Sequence, residues 1–170
     1  MKLIITLGLL TSVYTQEANY SELGKKALKP LKMGLMKELK QGIKTHGVSG
    51  AIGTCQLKAP VVTEEVSTPS YTVGRSSSKY RNPKNKPQAW MEDVLKSYET
   101  TASKDSQVIR LKTGETAYVE PIYLKGLCLN CHGAKLSKSV ESELAKLYPN
   151  DKAKGYKAND FRGIFWVKFK

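Results

Sequence analysis

The amino-acid sequence predicts an α+β domain, with helices first and an antiparallel sheet after them. Over residues 21–45 and 48–59 apolar residues recur every three or four positions, the period of an amphipathic helix. Residues 107–111 and 116–123 instead alternate and are rich in Val, Ile and Tyr, which is typical of a hairpin. A last apolar run, residues 163–169, predicts a strand that joins this hairpin. Helices and strands in separate parts of the chain define the α+β class.

Two helices are predicted before residue 60, separated by Gly47. The apolar stripe of the first consists of Leu28, Leu31, Leu35, Leu39 and Ile43. Pro30 either kinks this helix or marks the first turn of its main part, because proline is tolerated at a helix start but not inside. The stripe of the second consists of Val48, Ala51, Ile52, Cys55 and Ala59. Cys55 is therefore expected on a buried face, and Pro60 is expected to limit the helix.

The rest of the chain mixes loops with short elements. Residues 61–86 are polar and contain several Pro, Gly and Ser, so we expect irregular chain with one short strand near 71–73. Pro87 opens a helix that runs to about residue 102. Residues 112–115 form the hairpin turn. A further amphipathic helix is expected over 139–148.

Chain length and the first residues predict one exported domain. The sequence has 170 residues, enough to bury a core. Lys2 precedes an apolar run, residues 3–10, which is too short to span a bilayer and resembles the core of a signal peptide. We therefore expect a signal peptide over residues 1–18, a domain over 19–170 and a periplasmic location.

The chain is strongly basic. Its 28 Lys and Arg residues against 15 Asp and Glu give a formal charge of +13, and the lysines are spread along the whole sequence. Diffuse positive charge favours an acidic redox partner or separate signalling protein, and peripheral contact with an anionic membrane surface. A solvated lysine-rich surface is the simpler interpretation. Nucleic acid is not expected, because no recognition motif with clustered Arg and aromatic residues is present.

The most specific motif is Cys128-Leu129-Asn130-Cys131-His132, the spacing that attaches a c-type haem. Each thiol can add to a vinyl group of the porphyrin, and the adjacent imidazole can bind the iron. A zinc site would need four ligands, but Cys55 and His46 are the only further Cys and His in the sequence. A redox dithiol would need a βαβ setting, and a structural disulfide is the remaining alternative. The motif predicts one covalently bound haem c.

A second axial ligand must lie upstream unless a Lys or Tyr serves, because residues 133–170 contain no Met, His or Cys. The soft side chains available there are Cys55, His46, Met33, Met36 and Met91. On a continuous helix, His46 and Cys55 would lie about 180° apart and roughly 13.5 Å along the axis, so both cannot face one iron. Position on the apolar stripe favours Cys55, although a lone buried Cys is usually a small hydrophobe. All five remain candidates at this point.

Several motifs together make the chain resemble the c-type haem PAS-like domain family, formerly a domain of unknown function. That family occurs as small exported bacterial proteins and as the sensory part of histidine kinases and diguanylate cyclases. The resemblance covers residues 31–170 and is carried by AIGTCQLKAP (51–60), GRS (74–76), RNPKNKP (81–87) with Trp90, CLNCHG (128–133), YPNDKAKGY (148–156) and Arg162-Gly163. It implies a PAS-like antiparallel sheet with N-terminal helices, and a His132/Cys55 axial pair.

Function is expected to be redox or small-gas sensing, with periplasmic electron transfer as the alternative. A thiolate opposite His132 would stabilise ferric iron, and loss of that bond would move the Cys55 helix. Arg75 and Arg81 lie in turn-like segments, where they are either structural or pair with haem propionates. An enzyme is not expected, and no catalytic residue is assigned, because a peroxidase would need an open iron position.

Overall fold

A computed structural model describes the backbone of residues 5–170 and the side chains of residues 17–170. Its helices are α1 (Ile5–Val66), α2 (Ala89–Thr101), α3 (Leu129–His132) and α4 (Lys138–Leu147). Its strands are β1 (Tyr71–Ser76), β2 (Gln107–Arg110), β3 (Thr116–Tyr123) and β4 (Phe161–Phe169). Two single-turn 3-10 helices lie at Pro83–Asn85 and Gly126–Cys128.

Residues 1–4 of the predicted signal peptide lie outside this description, and of residues 5–18 only Glu17 and Ala18 have described side chains. The signal peptide stays a prediction. Over the described residues, none of the helices has the length and apolar character that crossing a bilayer requires.

The four strands form one antiparallel sheet in the order β1-β4-β3-β2. β4 lies between β1 and β3, and Val167 is in register with Val73 on one side and Tyr118 on the other. The prediction that the last strand joins the sheet of the hairpin is therefore confirmed. The predicted fold class, α+β with a PAS-like antiparallel sheet and N-terminal helices, is also confirmed.

Helix α1 is broken at Gly47 into a long arm (5–46) and a short arm (48–66), as the sequence predicts. Gly47 has φ 68° and ψ −178°, a conformation open to glycine and costly for other residues. The two arms then pack antiparallel. A methyl group on Gly34 would lie 2.7 Å from Val62 Cγ1, and one on Gly42 would lie 3.0 Å from Thr54 Cβ. Glycine at these positions lets the two arms approach closely.

The prediction that Pro60 limits the second helix is wrong, because the short arm continues to Val66. Proline in a helix removes one backbone hydrogen bond and crowds the preceding turn. The residues beyond it compensate, since Val62 and Val66 pack against the buried cluster on the sheet. Helix α1 also begins well before residue 21 and passes through Pro30 without ending.

Helices cover both faces of the sheet. On one face the long arm of α1 packs through a cluster consisting of Ala27, Leu28, Leu31, Val73, Tyr118 and Val167. On the other face α2 packs through a cluster consisting of Met91, Val94, Leu95, Tyr98, Val119 and Ile164. Tyr118 and Val119 are neighbours in β3 but belong to different clusters, because successive side chains of a strand point to opposite faces.

A third cluster joins the short arm to α4 through Ile52, Val140 and Leu144. The amide of Gln56 also donates to the carbonyl of Leu147 at 3.0 Å. The short arm therefore extends past one end of the sheet, where β1 and β3 end and β4 begins. This end of the sheet carries the candidate site.

Gly163 allows β4 to begin close to β1. Its φ is +146°, and a methyl group there would lie 2.2 Å from the carbonyl oxygen of Ser76 and 2.9 Å from Ser77 Cβ. The backbone of Ser76 cannot move aside as a flexible side chain could. A residue larger than glycine at position 163 would therefore suffer both backbone strain and steric overlap.

We therefore expect Gly163→Ala to lower the free energy of unfolding by about 2–6 kcal/mol, the combined range for backbone strain and overpacking. Chemical denaturation measures the change. Gly126→Ala is the matched control, because a methyl group at Gly126 meets nothing within 4 Å. Equal stability of the two variants would contradict this account of Gly163.

Candidate functional site

A cavity of about 290 Å³ lies at this end of the sheet, between the two arms of α1 and the segment that carries the Cys-x-x-Cys-His motif. Its size is near the lower end of the range for small-molecule sites, about 300–1,000 Å³. Much of the wall is aliphatic and is formed by Leu35, Leu39, Ile43, Ile52, Ile122 and Leu124. The motif residues, Cys55, Arg75 and Arg81 all line the same space.

The two thiols of the motif lie one helical turn apart. The chain leaves β3 and forms the 3-10 helix that ends at Cys128, which is followed directly by α3. Residues three apart on a helix share a face, so Cys128 and Cys131 both reach the cavity. Both are half-buried free thiols, and burial is the main cause that raises the pKa of Cys131. The thiols of Cys128 and Cys131 can therefore both bond to the same ligand.

The ring of His132 is held by a backbone carbonyl. Its Nδ1 lies 2.8 Å from the oxygen of Ala153. A carbonyl can only accept, so Nδ1 carries the proton and Nε2 keeps a free lone pair. Burial, followed by the charges of Arg81 and Arg162, lowers the pKa of His132 to about 3. The imidazole is therefore neutral at ordinary pH, as a metal ligand must be.

Arg81 connects this carbonyl with the motif. Its Nη2 donates to the carbonyl of Cys131 at 2.5 Å and to that of Ala153 at 3.3 Å, and forms an ion pair with Asp151 at 3.1 Å. The Asp151 side chain is only 2% exposed, and its Oδ1 accepts from the amide of Ala153 at 2.8 Å. Two atoms of this pair, Arg81 Nε and Asp151 Oδ2, lack a hydrogen bond within the described residues. Arg81 thus lines the cavity but is engaged in holding the motif.

The structure separates the five candidate second ligands. Cys55 and Met36 line the cavity, whereas His46 is exposed beside Gly47. Met33 is 62% exposed, and Met91 is buried on the opposite face of the sheet with α2. Burial is the largest cause that raises the pKa of Cys55, and the charges of Arg75 and Arg81 oppose it. Of the two that remain, Cys55 is the more enclosed, since Met36 is 43% exposed.

Several lining residues were not predicted as part of the site. Arg162, Tyr80 and Tyr148 face the cavity, and Phe165 and Glu38 complete its wall. Arg162 and Tyr148 lie inside motifs that carry the family resemblance, which was the available signal. Their approach to the cavity depends on the start of β4 and the end of α4, and no local pattern in the sequence shows it.

The site fits a flat, largely apolar cofactor better than a bare metal ion. Within the described residues, no group of three or more His, Cys, Asp or Glu comes close enough together to hold an ion. Two thiols, one oriented imidazole, an aliphatic wall and three arginines instead match a porphyrin, which has vinyl groups, an iron and carboxylates. Cys128, Cys131 and His132 are the residues that would hold it.

Comparison with known proteins identifies relatives of the chain. The Tll0287-like family, described as Tll0287, matches residues 11–169. A search of curated proteins finds no match. Among solved structures, the chain resembles the crystal structure of the cyanobacterial heme-protein Tll0287. The two share 21% identity over 85% of this chain and 90% of the other, with a TM-score of 0.62. The family match covers nearly the whole sequence, and we conclude that this chain belongs to the Tll0287-like family.

Proposed function

We propose that the protein is an exported monohaem c-type cytochrome with His132 and Cys55 as axial ligands, acting as a redox or small-gas sensing module. The observation that carries the proposal is the cavity itself, which is lined by both thiols of the motif, by His132 and by Cys55. The similarity to a heme-protein of the same fold supports the cofactor. The apolar run at residues 3–10 supports export to the periplasm, where covalent haem attachment takes place in bacteria.

When bound, haem would supply an iron that changes oxidation state and can bind a diatomic gas. Cys128 and Cys131 would each add across a vinyl group, with sulfur bonding to one carbon and the thiol hydrogen moving to the other, so that nothing is released. His132 would present its neutral Nε2 to the metal, because Ala153 holds the opposite nitrogen. Cys55 would offer its sulfur from the short arm of α1.

The position of Cys55 favours sensing. Its helical arm is joined to the long arm only through Gly47, and it packs on the long arm through Gly34 and Gly42. If the Cys55 sulfur were no longer bound to the metal, this arm would lose a tether across the cavity and could shift relative to the sheet. The long arm would pass that change to a separate signalling partner.

A second candidate function is electron transfer, and a basic groove favours it. An open groove of about 470 Å³ is lined by Lys25, Lys29, Lys32 and Lys104. Lys32 also lines the cofactor cavity, so the groove adjoins it. Only Glu120 provides a carboxylate among the residues that line the groove, and it pairs with Lys32. A positive surface beside a redox site would attract an acidic partner.

Covalent attachment is tested with the double variant Cys128→Ala/Cys131→Ala. We expect the parent polypeptide to keep its haem after denaturation and acid extraction, and the double variant to lose all of it. Haem staining of denaturing gels and the pyridine haemochrome spectrum measure the bound fraction. Cys55→Ala is the control, because it removes a thiol outside the motif and should leave attachment unchanged. A parent protein without bound haem would refute the proposal.

The second ligand is tested by comparing Cys55→Ser with Met36→Leu. We expect Cys55→Ser to lose the low-spin thiolate spectrum and to raise the reduction potential by at least about 0.1 V, a fraction of the roughly 0.8 V that axial ligands control. Carbon monoxide should then bind the ferrous form more readily. Met36→Leu should behave as the parent in absorption and electron paramagnetic resonance. Unchanged spectra in Cys55→Ser would remove Cys55 from the iron.

The electron-transfer alternative predicts a salt-dependent reaction with an anionic oxidant. The oxidation rate by hexacyanoferrate should fall as ionic strength rises from about 0.01 M to about 0.5 M, because screening weakens long-range attraction. Lys29→Gln should slow the low-salt rate by about 2–5-fold. Lys112→Gln, in the turn at the opposite end of the sheet, should not. A rate independent of salt in stopped-flow measurements would count against this function.

A further inference from the structure

The cavity carries more positive charge than its own walls neutralise. Four cationic side chains line it, Lys32, Arg75, Arg81 and Arg162. Lys32 pairs with Glu120 and Arg81 pairs with Asp151, whereas Glu38, the single carboxylate among the lining residues, forms no ion pair with Arg75 or Arg162 within residues 17–170. Cations beside an aliphatic wall are costly when unpaired, so the arrangement points to an anionic ligand.

The three arginines differ in how many of their N–H donors already form hydrogen bonds with the protein. Arg81 is engaged by two backbone carbonyls and by Asp151. Arg162 donates one hydrogen bond, to the carbonyl of Lys79 at 3.0 Å, and otherwise lies over the ring of Tyr156 at 5.7 Å. Arg75 forms no side-chain hydrogen bond or ion pair within residues 17–170. Arg75 and Arg162 therefore keep donors for a ligand.

These two arginines lie on neighbouring strands. Arg75 is in β1, in register with Phe165 of β4, and Arg162 is three residues earlier in β4. Burial is the largest cause that lowers the pKa of Arg75, and the second is the positive charge of Arg162, which therefore lies nearby. Two neighbouring guanidinium groups repel each other unless a doubly charged ligand lies between them, and each has the planar fork that matches a carboxylate.

We infer that Arg75 and Arg162 form a carboxylate-binding pair that receives the two propionate groups of the cofactor, whereas Arg81 positions the motif. The inference rests on the proposed function, since it takes haem as the dicarboxylate. It adds Arg162 to the sequence-based expectation and gives Arg81 a different role. Removing positive charge at this pair would leave the propionate charge uncompensated and favour ferric iron.

The test uses the holoprotein with Arg75→Gln, Arg162→Gln and the double variant, and Arg110→Gln as the matched control on the exposed end of β2. Two quantities are measured: the propionate bending bands in the resonance Raman spectrum and the midpoint potential. We expect both single variants to shift the propionate bands and lower the potential, and the double variant to do so most. Arg110→Gln should match the parent in both.

Arg75→Lys keeps the positive charge. It therefore keeps the inference testable if the neutral variants fail to fold. We expect it to shift the propionate bands, because the bidentate fork is lost, while the potential stays closer to the parent than in Arg75→Gln. Propionate bands unchanged in the double variant would overturn the inference alone. So would an Arg75→Gln protein that alters only the Cys55-dependent axial spectrum. A parent without haem would overturn the proposed function together with the inference.

Discussion

The carbonyl oxygen of Ala153 accepts hydrogen bonds from both His132 and Arg81, and the geometry of the site depends on this shared acceptor. Ala153 is fully buried, and its own amide donates to Asp151. A second hydrogen bond joins the same two segments, since the amide of Tyr156 donates to the carbonyl of His132 at 3.0 Å. Each buried polar group left without such a partner would cost about 1–3 kcal/mol, so the two segments hold each other in place.

The opposite wall of the cavity depends on close helix packing instead of hydrogen bonds. Gly34 and Gly42 allow the arms of α1 to approach, and Gly47 supplies the reversal between them. Cys55 thus lies on an arm that is held by apolar contacts: Val62 and Val66 pack on the sheet cluster, and Ile52 packs on α4. The motif side is held by a buried polar network, while the Cys55 side is held by apolar contact. This asymmetry makes the Cys55 side the one that would respond if a bond across the cavity were lost.

The charged side chains of the site also fall into two groups, one paired within the protein and one facing the cavity. Asp151 neutralises Arg81 below the motif, where both groups are largely withdrawn from solvent. Arg75 and Arg162 face the cavity, and within residues 17–170 neither forms an ion pair with a carboxylate. A protein that buries cations in this way depends on its ligand for their neutralisation, because an unpaired charge in an apolar wall is unfavourable. Cofactor binding and stability of this end of the sheet are therefore linked.

Much of the fold could be predicted from local patterns. The hairpin, the break at Gly47 and the last strand all follow from residue period and turn chemistry over fewer than about 25 residues. The end at Pro60 was wrong because contacts of Val62 and Val66 with a distant sheet outweigh the local cost of proline. Helix α1 also begins before residue 21, because its backbone continues into residues that the sequence pattern assigned to a signal peptide.

The sequence by itself determined the chemistry of the motif, because two thiols and an imidazole within five residues share one helical turn whatever surrounds them. Only the tertiary structure decided which of the upstream candidates line the same cavity, namely Cys55 and Met36. His46, Met33 and Met91 are also candidates in the sequence, although the apolar stripe favours Cys55, and the structure places all three away from the cavity. The tertiary structure likewise decided what the arginine side chains contact. Whether a guanidinium faces a carbonyl, a carboxylate or an open cavity depends on contacts between segments more than 50 residues apart, which no local pattern contains.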